Sequence, residues 1–433
     1  MRWSLVLLPI VCGACDSPCE PNHLPDAPNA GPGELRHGLS IVTYQLDVAA
    51  TSGSIACLSC GFVYYFDDAL REQSRAAAGV TGIGKLAVAD GRTFVLDVAD
   101  GLDPDFGDDT FRLPNFQLYA LSREGDGLWR NDLGDGEAWT GDFAPVEQYG
   151  YLRRTPTSLP VAIAANSLGV FLHGAPLASA FDAAQGRLLW TVPTGVDDKA
   201  AVAPDASVGL FVAGHEQTAS GAPQAVLRHL DSEGSTTWTA TWGTTLPPPL
   251  TQGRDIAFTD ATRSADSGLL VAGYFTTATL DAGGHTLQDP DNPASGATVN
   301  FVAALDANGA TRWAYTVGHQ IVNQYIRGLK IAAVGDGAVI CGEYGGLGDQ
   351  LGLAFSGGSV GAFVAHVTAS GVISAYSIGG LGAKSCQAIA AAPDGSAIVT
   401  VQTIPDLANE IRIGTRTFAA AASSEFFLLN IAL

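Results

Sequence analysis

An all-β ring of repeated four-stranded antiparallel blades, a β-propeller, is the fold class this sequence predicts. Seven blades are the first expectation, six or eight the alternatives. Three observations predict it. A short phrase recurs: "SREGDGLW" ends at Trp129, "DAAQGRLLW" at Trp190, "DSEGSTTW" at Trp238 and "DANGATRW" at Trp313, each with a Gly four residues before the Trp. The periodic stretches around it are rich in Val, Thr, Phe and Gly, with 52 Gly and one Met in 433 residues, which suits strands joined by tight turns. Successive Trp residues of the phrase lie 48 to 75 positions apart, the length of a blade with loops of varying size.

The phrase has a structural reading. Asp bonds the backbone N–H groups of its own turn, Gly takes a positive φ that other residues resist, and Trp buries a large face between stacked sheets. Flanking strands repeat with it: "GLFVAG" (209–214) and "AVLRHLD" before Trp238, "GLLVAG" (268–273) and "FVAALD" before Trp313. Weaker copies pair 89–98 with 116–129, 165–174 with 178–190, 335–344 with 362–376, and 393–401 with 425–433. Six units are therefore legible between Thr81 and Leu433. A seventh lies in Leu39 to Gly79, where "FVYYFDDALREQSRAAAG" imitates the second half of a unit. One blade cannot bury both of its faces, but a ring of blades can.

The last segment, "EFFLLNIAL", is apolar on both faces, with Phe427, Leu429 and Ile431 on one and Phe426 and Leu428 on the other. Such a strand is buried and needs a partner along each edge. "SIVTYQLDV" (40–48) alternates like a half-buried strand and is predicted to supply the outer partner, clasping the chain ends together. Residues 52–80 then contribute to the first blade; the rival is that 39–80 forms one self-contained blade.

Residues 268–318 resemble the bacterial β-propeller repeat of exported lipoproteins. In that repeat a glycine-flanked strand leads to a "DFGG" segment and then to "FVAKLDAxGxxxW". Asp281, Gly283, Gly284, Leu287, Phe301, Val302, Leu305, Asp306, Gly309 and Trp313 carry the resemblance, and 414–433 is similar to its later half. The resemblance implies a propeller of six to eight blades and no particular activity. "ASAFDAAQGRLLW" is also similar to the blade turn of quinoprotein-type propellers, with Gln185 in place of the usual Thr. That turn is structural and implies no quinone.

The N-terminus adds an export reading. Arg2 precedes an apolar run from Leu5 to Val11, and "CGAC" places small residues before Cys15, which resembles a lipoprotein signal. Residues 1–14 are then the signal peptide and Cys15 the lipidation site. Cys12 stands where that box usually has Leu; ordinary cleavage after Ala14 is the alternative. Pro at 18, 21, 25, 28 and 32 makes 15–37 a Pro-rich tether. The propeller domain is 38–433. The chain is placed at the bacterial cell envelope, at the outer membrane or its periplasmic face, with the lipid its one membrane contact.

With 22 basic against 43 acidic residues and a net charge of −21, the chain lacks the basic footprint of a nucleic-acid binder. Asp103, Asp105, Asp108 and Asp109 cluster in "DGLDPDFGDD" and are the candidate Ca²⁺ ligands, though the spacing is not that of an EF-hand and a solvated acidic loop explains them as well. Cys57 with Cys60, and Cys341 with Cys386, are the disulfide candidates; buried free thiols are the alternative for the second pair. No catalytic motif sits in its required context, and no other cofactor is implied. The sequence thus supports a binding or scaffold propeller that takes a protein or glycan ligand on one face through its loops. An outer-membrane assembly lipoprotein and a propeller enzyme acting on a glycan or an alcohol are the alternatives.

Overall fold

The computed structural model describes residues 22–433 apart from 28–29, 43–46, 52–53, 60–61, 68–69, 78–82, 100–114, 135–143, 149–150, 156–161, 175–176, 197–199, 218–222, 244–255, 278, 289–297, 321–323, 347–350, 352–359, 393, 405–409 and 420–424. Every regular element among the described residues is a strand, so no helix there is long and apolar enough to cross a membrane. Six blades of mainly four antiparallel strands are each cut from one continuous stretch of chain: 47–77, 83–134, 162–193, 201–242, 256–320 and 324–379. A further sheet is composite. From the centre outward it holds Ala383–Ala391, Ala397–Ile404 and Glu425–Ile431 from the end of the chain, then Leu35–Val42 and Asn22–His23 from its beginning. The innermost strands touch in a closed cycle in chain order, and Ala383–Ala391 lies against both Gln324–Val334 and Asp47–Thr51. The molecule is an all-β propeller.

The expected clasp is present, with shifted bounds. Leu35–Val42 pairs antiparallel with the last strand, from Leu35 opposite Ile431 to Val42 opposite Glu425. The strand begins inside the Pro-rich stretch read as tether. Residues 47–48 of the predicted strand belong instead to Asp47–Thr51, the innermost strand of a self-contained first blade. Glu425–Ile431 is buried along its whole length. Phe427, Leu429 and Ile431 pack into a core shared with the sixth blade, and Phe426 and Leu428 into one shared with the first. That is what the two-sided apolar pattern requires.

The repeated phrase is a staple between blades. Asp306 Oδ1 accepts from the backbone N–H of Asn308 (2.8 Å) and Ala310 (2.9 Å), and Asp182 and Asp231 cap their own turns in the same way. Gly309 has φ 84°, and a Cβ there would lie 2.7 Å from the Trp238 ring of the preceding blade. The indole N–H of Trp238 donates to the carbonyl of Ala307 (2.9 Å), and that of Trp129 to Ala183 (3.1 Å). Ser74 donates to the equivalent carbonyl of Arg123 at 2.9 Å, and Tyr315 to that of Ala369. The turn of one blade therefore holds the outer strand of the blade before it. All three predicted Trp residues lie on outer strands; Trp190 and Trp313 are buried as expected, whereas Trp238 is only half-buried.

Within or beside the segments that carry the family resemblance, short hairpins reach backward to the preceding blade. Thr279–Asp281 pairs with Thr286–Gln288 and touches the fourth blade by a bridge from Asp281 to Gly243. Leu280 and Leu287 are buried there in one core with Trp242, which is 1% exposed. Glu410–Ile413 and Arg416–Ala419 do the same for the sixth blade, extending its outer edge through Ile378 opposite Ile413.

Candidate functional site

The strand connections sort by length onto the two ends of the propeller. Turns from an innermost to a second strand, and from a third to an outer strand, all lie at one end and run two to five residues, as at 90–91, 205–209 and 306–310. Every connection longer than five residues within a blade or from one blade to the next starts and ends at the opposite strand ends: 100–114, 135–161, 194–200, 243–255, 276–297, 347–360 and 405–424; the segment 24–34, which joins Asn22–His23 to Leu35–Val42, is the exception and lies at the turn end. The short end is held by Asp caps and aromatic staples. The long end is where variable chain is presented, so it is the candidate binding face.

At that face, where the sixth blade meets the composite sheet, the strands bring polar side chains into a row. Glu343 lies near the loop end of a second strand, and Lys384 and Ser385 at the start of the innermost strand beside it. Ser385 donates to Glu343 Oε1. Gln387 Nε2 donates to Ser385 Oγ (2.9 Å) and to Gln402 Oε1 (3.2 Å). Lys384 is fully buried, its Nζ donating to the carbonyls of Leu381 (2.5 Å) and Gly382 (3.0 Å). Burial pulls its pKa down to about 8, against a smaller opposing pull from Glu410. A disulfide between Cys341 and Cys386, with Cα atoms 6.1 Å apart, ties the same two sheets together. The row sets hydrogen-bonding groups side by side at the loop end of this junction.

A second cluster imitates a catalytic triad. Asp205 Oδ2 lies 2.9 Å from His229 Nε2, and His229 Nδ1 2.7 Å from Thr237 Oγ1. Asp205 also accepts from the N–H groups of Ser207 (2.6 Å) and Gly209 (2.9 Å). Burial would raise its carboxyl, but these bonds, led by that from His229, outweigh it and hold the pKa below the usual carboxylate value. The repeat decides the role. At the same turn of the fifth blade Asp266 pairs with Arg312, and in the composite sheet Asp394 pairs with Arg36. The recurrent element is an Asp turn tied to a basic side chain, on the third strand for His229 and on the outer strand for Arg312 and Arg36, a structural lock with no shared nucleophile.

Cys15, Cys60 and the acidic cluster Asp103, Asp105, Asp108 and Asp109 lie outside the described residues; Cys57 falls in the strand Ser54–Ser59, its side chain undescribed. Among the described residues no group of three or more His, Cys, Asp or Glu could hold a metal ion. Sequence reasoning missed the Glu343–Ser385–Gln402 row, because its members are far apart in the chain. The available signal was the polar residue after "VAG"-type strands, His215, Tyr274 and Glu343 in successive units.

No protein-family model matches the chain, and no curated protein sequence matches it. Among solved structures, BamB from Moraxella catarrhalis is 14% identical with a TM-score of 0.39, covering 90% of this chain and 95% of its own. Hsv2 from Kluyveromyces lactis is 6% identical with a TM-score of 0.46, covering 87% and 99%. The Neurospora crassa Pan2 WD40 domain is 11% identical with a TM-score of 0.38, covering 80% and 88%. None of them bears on ligand or activity at these scores. The class is set by the chain's own sheets: a β-propeller closed by both chain ends.

Proposed function

We propose that this chain is a cell-envelope propeller that serves as a binding or scaffold module, anchored by a lipid on Cys15. It takes a protein or glycan ligand on the loop-bearing face, and its composite sheet counts as the seventh blade. The observation that supports this is the division of the two ends. One is closed by short stapled turns; the other gathers the long connections within and between the blades and the polar row of Glu343, Ser385, Gln387 and Gln402. The test uses two exposed leucines, Leu381 on the loop face and Leu168 on the turn face. A photo-crosslinking residue at Leu381 should capture a ligand in cells, and the same residue at Leu168 should not. Equal capture from both positions would contradict the reading. Mass spectrometry of membrane-extracted protein should show an acylated Cys15; a mature chain starting at Asp16, or an intact Met1, would remove the anchor from it.

A further inference from the structure

The chain leaves the propeller at a defined place, and that place constrains how the body sits on a membrane. Asn22 pairs with Ser40 and His23 with Leu39, on the outermost edge of the composite sheet. Leu35–Val42 runs from the turn face toward the loop face, since Leu35 lies opposite the end of the last strand and Val42 opposite its start. The antiparallel pairing therefore puts Asn22 near the loop-face corner of the rim. From there inward the chain is part of the body. Leu24 N–H donates to Gly38 (2.8 Å) and Ala27 N–H to Arg36 (2.8 Å). The Arg416 guanidinium donates to the carbonyls of Leu35 (3.1 Å) and Pro25. The side chain of Leu24 packs on the core between the sixth blade and the composite sheet.

We infer that the propeller is held on a short leash with the loop-face corner of its composite sheet nearest the lipid bilayer. The inference rests on the lipidation of Cys15. Only residues 16–21 separate Cys15 from Asn22. At ~3.6 Å per residue the seven steps span at most about 25 Å. A leash fixed to one corner of the rim keeps that corner close to the headgroups and turns the opposite blades outward. The membrane is thus an interaction surface of this corner, although the acidic body as a whole has no affinity for anionic lipid.

Energy transfer to the bilayer tests this. Thr417 is exposed on the hairpin of the sixth blade that lies against the composite sheet, next to Arg416, which bonds Leu35 and Pro25; Glu233 is exposed in a turn of the fourth blade, across the ring. Full-length acylated protein carrying Thr417→p-azidophenylalanine or Glu233→p-azidophenylalanine is coupled to a donor dye. It is then reconstituted into phosphatidylethanolamine–phosphatidylglycerol vesicles with headgroup acceptors. Transfer from position 417 should exceed that from 233 several-fold. Inserting about 25 Gly/Ser residues after Pro18 adds roughly 28 Å of mean reach and should bring the two values together. Equal transfer from both positions in the uninserted protein, with acylated Cys15 confirmed by mass, overturns the orientation and leaves the lipid anchor standing. A difference that survives the insertion unchanged overturns the leash as its cause. An unmodified Cys15 removes the anchor and, with it, this inference.

Discussion

In the fifth blade the third strand, Thr298–Leu305, turns through 306–310 directly into the outer strand Thr311–Gln320. In the composite sheet the third strand, Glu425–Ile431, stops two residues before the chain does, and the outer strand arrives from Leu35–Val42. The contacts nonetheless coincide. Thr311 faces Leu305 and Trp313 faces Ala304, leaving Arg312 bulged out to pair with Asp266. Leu35 faces Ile431 and His37 faces Asn430, leaving Arg36 bulged out to pair with Asp394. Gly309 (φ 84°) stands four residues before Trp313, and Gly33 (φ 76°) four before His37. Tyr376 of the sixth blade lies against Gly33 as Trp238 lies against Gly309. Where the fifth blade has its Asp-capped turn, the composite sheet has Gly33 N–H donating to Ala432 (2.8 Å) and Ala432 N–H to Glu34 (3.2 Å). A blade edge is therefore specified by side-chain position and not by chain continuity.

Deleting residues 35–42 breaks the comparison most severely. It strips the partner from a fully buried strand and opens the ring, so a single cooperative unfolding transition should be lost. A peptide of residues 22–42 added in trans should restore it. Unchanged melting on deletion would mean that the closure is dispensable.

Trp313→Ala should cost roughly 3–5 kcal/mol, since the ring is buried in the core between the fifth and sixth blades. His37→Ala, at the equivalent place but partly exposed, should cost far less. Equal losses in denaturant titrations would show that the closing sheet leans on this position as heavily as an ordinary blade does.

Lys384 separates the closing junction from other blade contacts by pH. Its folded pKa of about 8 lies below the ordinary 10.5, so between those values the unfolded chain binds more protons than the fold. Stability gained from this residue should rise with pH across that window, by on the order of 3 kcal/mol at most, and be flat below it. Lys384→Met should abolish the slope. A slope that persists would assign it elsewhere.

The smallest effect sharpens the equivalence. Arg36→Ala and Arg312→Ala each remove a partly exposed ion pair and should cost up to about 1 kcal/mol, by similar amounts. A much larger loss for Arg36 would show that the clasp depends on its pair as no continuous blade does.

The propeller was legible because its phrase is local: Asp, Gly and Trp fall within eight or nine residues, and each has one physical reason to be there. The clasp was legible because a strand apolar on both faces demands a partner along each edge. Its bounds were not, because five prolines between residues 18 and 32 masked a fifth copy of the phrase, Gly33 to His37, in which His replaces Trp and no Asp precedes the Gly. The Asp205–His229 lock and the Glu343–Ser385 row were hidden for another reason. Their members are 24 and 42 residues apart and meet only through sheet register and blade neighbourhood.

Closure by the two chain ends also sets a timetable for synthesis. Leu35 is made 390 residues before Glu425 begins its partner strand. At ~5–20 residues per second, the clasp strand waits about 20–80 s with an unpaired edge. Its composition suits that wait. Arg36, His37 and Gly38 interrupt the apolar run of Leu35–Val42, and the Pro-rich segment before it cannot extend a ladder. No amount of earlier folding can complete the composite sheet, because Glu425–Ile431 must be present to join Leu35–Val42 on one side to Ala397–Ile404 on the other.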